Sequence, residues 1–347
     1  MRYMIFGESH GPAIGVVLEG IPAGLELNLE EVQRELSRRK PGQDGISTAR
    51  REEDKVQVLS GVFEGRTTGA PLAMVITNSD RRSGDYEALR YTPRPSHGDY
   101  AGFIKSKGNL DYRGGGHFSG RLTAPLTAAG AVAKQLLAER GIWVGAHISS
   151  IYGVFDAAME NAQALKTVAG KPFPVLDDAK GEEMRQAILQ AKSEGDSVGG
   201  AIECAVVGMP AGLGGPDFGC NVEGIFAQHL FAVPAVKGVD FGAGAALALM
   251  RGSEANDPYA VQDGAVVTKT NHAGGINGGI TNGMPVTFEA TLRPTPSIAL
   301  PQESVDLRSG EEVEIAIKGR HDPCVVPRAV PVIEAAAALA ACQVLGL

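Results

Sequence analysis

Cysteine is scarce in this chain: Cys204, Cys220, Cys324 and Cys342 are its four thiols, and no two form a C-x-x-C pair. That excludes a zinc finger or a disulfide framework, and isolated thiols suit a reducing compartment. No apolar run reaches the ~20 residues of a membrane helix, and the opening Met1-Arg2-Tyr3-Met4-Ile5-Phe6 has no signal-peptide hydrophobic region. The expectation is a cytoplasmic protein with no membrane partner. Positive charge is also short. The net charge of -8 argues against nucleic acid as a partner. No G-K-[ST] string occurs, and Ser119 stands where a third glycine would complete a dinucleotide-binding pattern after Gly114 and Gly116. P-loop and Rossmann readings therefore fall away.

Glycine is what the chain has in excess, 46 residues beside 20 prolines. Backbone without Cβ atoms comes close to ligands. Charge is uneven: residues 1–125 hold 17 Lys/Arg against 16 Asp/Glu, and the remainder 15 against 24. An anionic small molecule therefore belongs in the N-terminal third.

Asn28 with Glu31 predicts a capping box opening a helix that stops at Pro41-Gly42, and an Ala-rich helix is expected from Thr123 to about Arg140. Further helices are expected over 181–193, 222–232, 243–251 and 329–345. Strands are expected over 13–19, 56–60, 71–77, 143–151, 198–208, 264–269, 284–292 and 311–317. Strand following strand without a helix between predicts antiparallel sheets. Gly20-Ile21-Pro22-Ala23-Gly24-Leu25 returns as Gly208-Met209-Pro210-Ala211-Gly212-Leu213, and Gly69-Ala70-Pro71-Leu72 as Gly283-Met284-Pro285-Val286. With an Ala-rich helix closing each half, these echoes predict an internal duplication within one domain, the halves spanning about 1–150 and 197–347. The polar stretch 170–196 reads as a surface insertion.

Five loops carry chemistry. Gly7-Glu8-Ser9-His10-Gly11 matches the G-x-S-x-G of serine hydrolases, yet it precedes a strand rather than a helix, which disfavours that enzyme class. Tyr91-Thr92-Pro93-Arg94-Pro95-Ser96-His97-Gly98-Asp99 is a proline-stiffened loop in which Asp99 is placed to orient His97. Histidines in rigid loops suit proton donation near neutrality. Asp111-Tyr112-Arg113-Gly114-Gly115-Gly116 precedes the Ala-rich helix, where backbone amides could face an anion. Asn271-His272-Ala273-Gly274-Gly275-Ile276 and Gly319-Arg320-His321-Asp322-Pro323-Cys324, with Arg328, complete the set. Each alone also reads as an ordinary turn, and Arg320 with Asp322 as a salt-bridged one. Arg38, Arg39, Lys40, Arg50 and Arg51 form a cationic run after the first helix. The residues alone lead to an enzyme acting on a small, multiply anionic, phosphorylated ligand, or else to a binding module without chemistry.

Taken in order across residues 6–329, these five motifs resemble the chorismate synthase family. The resemblance implies a phosphate-eliminating lyase of the shikimate pathway (aromatic amino-acid biosynthesis). It converts 5-enolpyruvylshikimate 3-phosphate to chorismate with reduced FMN and no net redox change. It also implies an α+β fold with helices sandwiched between two antiparallel sheets about a pseudo-twofold, and a homotetramer. By the same resemblance, His10 supports the flavin anion and His97 protonates the departing phosphate. Ser9 and Asp322 relay the substrate proton, and Arg39, Arg94, Arg121 and Arg320 hold the substrate. FMN contacts fall on His117, Phe118, Ser119, Ala235, Gly278, Arg293, Pro294, Thr295, Pro296, Ser297 and Arg320. The reductant is either NADPH or an external donor. Gly45 replaces a common family arginine, and the short stretch before Gly7 predicts little sheet pairing at that edge.

Overall fold

The computed structural model describes residues 1–41, 45–47, 53–78, 89–317 and 321–347. Helices and several antiparallel sheets give it an α+β fold. In the first sheet Arg2–Gly7, Ala13–Glu19, Leu72–Thr77 and Val56–Ser60 lie side by side, each antiparallel to its neighbour. Alternation along the strands sends Ile14, Val16, Leu18, Leu72, Met74 and Ile76 inward, all buried. The N-terminal edge corrects the sequence expectation: Arg2–Gly7 pairs along its whole length with residues 14–19. Met4 and Phe6 face out while Tyr3 and Ile5 pack on the core, so apolar residues occupy both faces and hide the alternation.

The second sheet orders Val236–Phe241, Val286–Leu292, Gly200–Val207, Trp143–Ile151 and Val154–Phe155, again antiparallel. Its strands 143–151, 200–207, 286–292 and 236–241 stand in the same succession as 2–7, 13–19, 72–77 and 56–60 in the first. The glycine-proline echoes also make the same hydrogen bonds. Leu25 N donates to Thr67 Oγ1 at 3.0 Å and that hydroxyl to Pro22 O at 2.6 Å. Leu213 N donates to Thr281 Oγ1 at 3.0 Å and that hydroxyl to Pro210 O at 2.7 Å.

Helix Thr123–Ala138 packs on the first sheet and helix Val326–Val344 on the second, and the two helices pack on one another. They meet where a Cβ on Gly130 would lie 2.2 Å from Ala335 Cβ, so only glycine permits this approach. Helix Leu29–Arg39 lies against Thr123–Ala138, and helix Val222–Phe231 against Val326–Val344. Asn28 caps the first of these, accepting from Glu30 N at 3.0 Å and Glu31 N at 3.1 Å. Glu31 turns to Arg34 instead of back to Asn28, so only half of the expected capping box forms. The helix expected over 243–251 is a 3₁₀ helix, Gly244–Leu249, followed by the short α-helix Gly252–Ala255. In the expected insertion, helix Asp178–Ser193 buries Met184 and Ile188 beside the second sheet. No helix among the described residues is long and apolar enough to cross a membrane.

Candidate active site

Loops distant in the chain converge on a cleft of about 250 Å³. Pro93 and Pro95 stiffen the backbone around Arg94, Ser96 takes a left-handed φ of 59°, and helix Asp99–Ser106 follows at once. Asp99 is the hub of this loop. Its Oδ2 accepts from Arg94 Nε at 2.7 Å, and its Oδ1 from Arg94 Nη2 at 2.8 Å and His97 Nδ1 at 2.6 Å. A carboxylate only accepts, so in this contact His97 Nδ1 carries the proton; Arg94 Nη2 lies 3.1 Å from the same nitrogen. Burial pushes the Asp99 carboxyl up, but the bonds from Arg94 and His97 outweigh it and hold the group well below the usual carboxylate range. Arg94 Nη1 donates to Ser297 Oγ at 3.2 Å, joining the loop to the 293–297 segment.

The glycine run separates two histidines. Gly114, Gly115 and Gly116 have φ of 60°, 88° and 54°. A Cβ on Gly114 would lie 2.1 Å from His10 Cε1, and one on Gly115 2.9 Å from His97 Cε1. His97 lines the cleft; Ser9 and His10 are buried behind Gly114. Ser9 Oγ lies 3.0 Å from His10 Nδ1 and donates to Arg113 O at 3.2 Å. The Ala-rich helix begins at Thr123 as expected, and the left-handed glycines lie before it, outside its regular backbone.

Arg39 and Arg121 share Asp54 on one wall. Arg121 Nε also donates to Asn78 Oδ1 at 3.1 Å, and Asn78 Nδ2 donates to Glu8 O and Gly11 O, each at 3.0 Å. Arg121 is thereby tied to the loop that carries Ser9 and His10. Asp322 accepts from Arg328 Nη1, and Arg328 Nε donates to Arg39 O at 3.0 Å. Across the cleft, Ala235 holds a left-handed φ of 77° and its carbonyl accepts from Arg293 N at 3.0 Å. Burial pulls the Arg293 guanidinium below its ordinary value, and it makes no ion pair among the described residues. Thr295 Oγ1 is buried without a hydrogen-bond partner among the described residues. Phe118 is 45% exposed on the cleft and packs over Gly98 and Gly102.

Of the residues singled out in the sequence, the cleft gathers Arg39, Arg94, His97, Phe118, Ser119, Arg121, Ala235, Arg293, Thr295, Pro296, Ser297 and Asp322. Ser9, His10, His117, Gly278 and Pro294 are not in its lining. His117 is exposed, with Nδ1 3.0 Å from Gly7 O, and Gly278 sits at the turn between Ile276–Asn277 and Ile280–Thr281. Arg320, Arg50 and Arg51 lie outside the described residues. Gly45 O accepts from Lys192 Nζ at 2.8 Å. Sequence reasoning missed Asp54 and Asn78, single polar residues whose partners are distant in the chain.

A family model described as chorismate synthase matches residues 1–345. The chorismate synthase of Thermococcus kodakarensis is 48% identical over 338 residues, covering 97% of this chain and 94% of that protein. The Pyrococcus abyssi chorismate synthase is 49% identical over 334 residues, with 96% and 92% covered. A solved chorismate synthase structure superposes with a TM-score of 0.78 at 30% identity, covering 99% of this chain and 91% of that one.

Proposed function

The chain belongs to the chorismate synthase family, and on that premise we infer that its cleft converts 5-enolpyruvylshikimate 3-phosphate to chorismate by anti-1,4-elimination of phosphate. The observation that carries this reading is the crowding of Arg39, Arg94, Arg121, Arg293 and Arg328 around one small cleft with His97 among them. Two carboxylates and a phosphate on one ligand match so many cations, three of them buried, and guanidinium groups hold such anions in fixed orientation.

Arg39, Arg94 and Arg121, with Arg320, hold the substrate's anionic groups and locate its reacting carbons. His97 gives its Nε2 proton to the departing phosphate, while Asp99 keeps Nδ1–H engaged and offsets the imidazolium. Asp322, oriented by Arg328, takes the proton that the substrate loses, and Ser9 is its partner in that transfer.

The family needs reduced flavin, and the residues fit one. The Thr295 hydroxyl and the Arg293 guanidinium, which have no side-chain partner among the described residues, suit its phosphate, and the exposed Phe118 ring suits its apolar surface. When bound there, reduced FMN would supply electron density for breaking the carbon–oxygen bond with no net change in its redox state. Ser119, Ala235, Pro296, Ser297, Arg320, His117, Gly278 and Pro294 complete the proposed contacts, and His10 supports the negative charge of the reduced form.

The proposal extends to one domain of two similar halves, supported by the repeated strand succession and hydrogen bonds. It also extends to a homotetramer, supported by the uncovered apolar outer face of the first sheet, where Met4 is 70% and Leu59 65% exposed.

The test is anaerobic phosphate release with dithionite-reduced FMN, and NADPH in place of dithionite identifies the reductant. Phosphate release is expected with the first. FMN binding with the phosphorylated substrate left intact would make the chain a binding module instead.

A further inference from the structure

Asp54 has no exposed side-chain surface, yet it lies one residue deep behind the cleft wall. Its Oδ2 accepts from Arg39 Nη1 at 3.0 Å and its Oδ1 from Arg121 Nη1. Both arginines line the cleft and are themselves almost fully buried. The backbone that presents this carboxylate is unusual: Asp54 has a φ of 50°, a conformation non-glycine residues rarely adopt. Gln33 secures it from the first helix, donating through Nε2 to Asp54 O at 3.1 Å and accepting from Val56 N at 3.3 Å. A strained residue held by a bracket indicates that the place of its side chain matters.

We infer that Asp54 is a positioning residue for this reaction, a single buried carboxylate that holds Arg39 and Arg121 side by side so that both meet one substrate anion. The inference rests on the phosphate-eliminating reading of the cleft. Two guanidinium groups so close in a poorly hydrated wall repel one another, and a carboxylate between them removes that repulsion while leaving a positive charge for the ligand. Arg39 is held from two further sides, by Thr123 Oγ1 on Nε at 2.8 Å and Gly120 O on Nη2 at 3.3 Å. Arg121 is held by Asn78. Among the described residues, Asp54 is the group that both arginines share. Through Arg121 and Asn78 it is also linked to the Gly7–Gly11 loop.

Asp54→Asn tests this. The amide accepts through one oxygen only and turns an N–H toward a guanidinium. The expected outcome is a rise in KM for the phosphorylated substrate of about 10- to 100-fold, with a smaller change in kcat. Affinity for inorganic phosphate, measured by calorimetry, should fall with it. Asp54→Glu, which keeps the charge, should recover part of the loss, and adding Arg39→Ala to Asp54→Asn should cost little more. Unchanged KM and phosphate affinity with only a lowered melting temperature would make Asp54 a structural ion pair and overturn the inference. Tighter phosphate binding would overturn it too, because the carboxylate would then be repelling the ligand. Should Asp54→Asn fail to fold, Gln33→Leu loosens only the bracket and should raise KM about threefold; no change there would also overturn it. Wild-type enzyme run in parallel keeps the two readings apart. If it releases no phosphate from the substrate, the assigned reaction fails, while the calorimetric comparison still decides the role of Asp54.

Discussion

Arg38 and Arg39 are neighbours on one helix and enter two buried ionic networks of opposite kinds. Arg38 turns into the core, where Glu334 accepts from its Nη1 at 2.6 Å and Nη2 at 2.8 Å, and from Lys134 Nζ at 2.5 Å. Glu35 accepts from the same two cations at 2.9 and 2.7 Å. Two cations meet two carboxylates, and the network closes on itself. Arg39 turns to the cleft, where it shares Asp54 with Arg121, while Arg94 and His97 share Asp99. Arg293 adds a cation without an ion pair among the described residues. Burial and hydrogen bonding are alike in both places. Charge balance among the described residues is what separates them: the core network pairs two cations with two carboxylates, and the cleft has more cations than carboxylates, which suits an anionic ligand.

The hardest test falls on the cleft side. His97→Ala removes the proposed proton donor but leaves Asp99 its bonds from Arg94, so the loop should hold. Turnover should fall by about 10²–10⁴-fold with the melting curve nearly unchanged. Wild-type single-turnover rates across pH 6–8 would return His97 to an ordinary loop residue.

Exchanging the two arginines one at a time sharpens the contrast further. Arg38→Met leaves Glu334 with half of its compensation and should cost about 3 kcal/mol of stability, read from urea midpoints. In the protein still folded, KM should change little. Arg39→Met should do the reverse, raising KM roughly tenfold or more with the smaller stability loss, because Asp54 keeps Arg121. Equal stability losses with equal KM values would abolish the distinction between the networks.

The sequence showed the two sides unequally. The cleft loops were legible because glycine and proline mark stiff or closely approached backbone, and Arg94, His97 and Asp99 sit within six residues of one another. Asp54 and Asn78 gave no local signal: their meaning lies in Arg121, 67 and 43 residues away. Glu334 did leave a trace, as the one charge in the apolar helix Val326–Val344 after its first turn, but its cations lie 200 and 296 residues distant. His147 is similar, a buried strand histidine between Asp156 at 2.8 Å and Glu203 at 2.9 Å, invisible until the strands pair. The strand Arg2–Gly7 was hidden differently, by apolar residues on both of its faces. Local conformation is thus readable wherever one residue type enforces it, whereas a long-range ionic network is readable only as a charge out of place.

The smallest effect separates the networks by acid. Burial pushes the Glu334 carboxyl up, but Lys134 and Arg38 more than offset this and hold it down at about 2, against 4.5 when free. A carboxyl depressed in the folded state contributes stability above its unfolded value, and that contribution is lost as pH falls from about 4.5 toward 2. The shift corresponds to about 3 kcal/mol at neutral pH, of which about 2 kcal/mol should be gone by pH 3. Asp99 is depressed in the same direction, so the wild-type curve alone does not isolate Glu334. The comparison is with Glu334→Gln, which keeps the shape and cannot titrate. At pH 7 the wild type should be the more stable by about 3 kcal/mol, and the gap in urea midpoints should narrow between pH 4.5 and 3. An Asp99→Asn variant compared in the same way should also lose its gap on acidification, but in that variant the substrate KM should already have moved at pH 7. A Glu334→Gln gap that stays constant from pH 7 to 3 would mean that the core carboxylate is not held by its two cations, and the closed network would cease to explain the centre of the molecule.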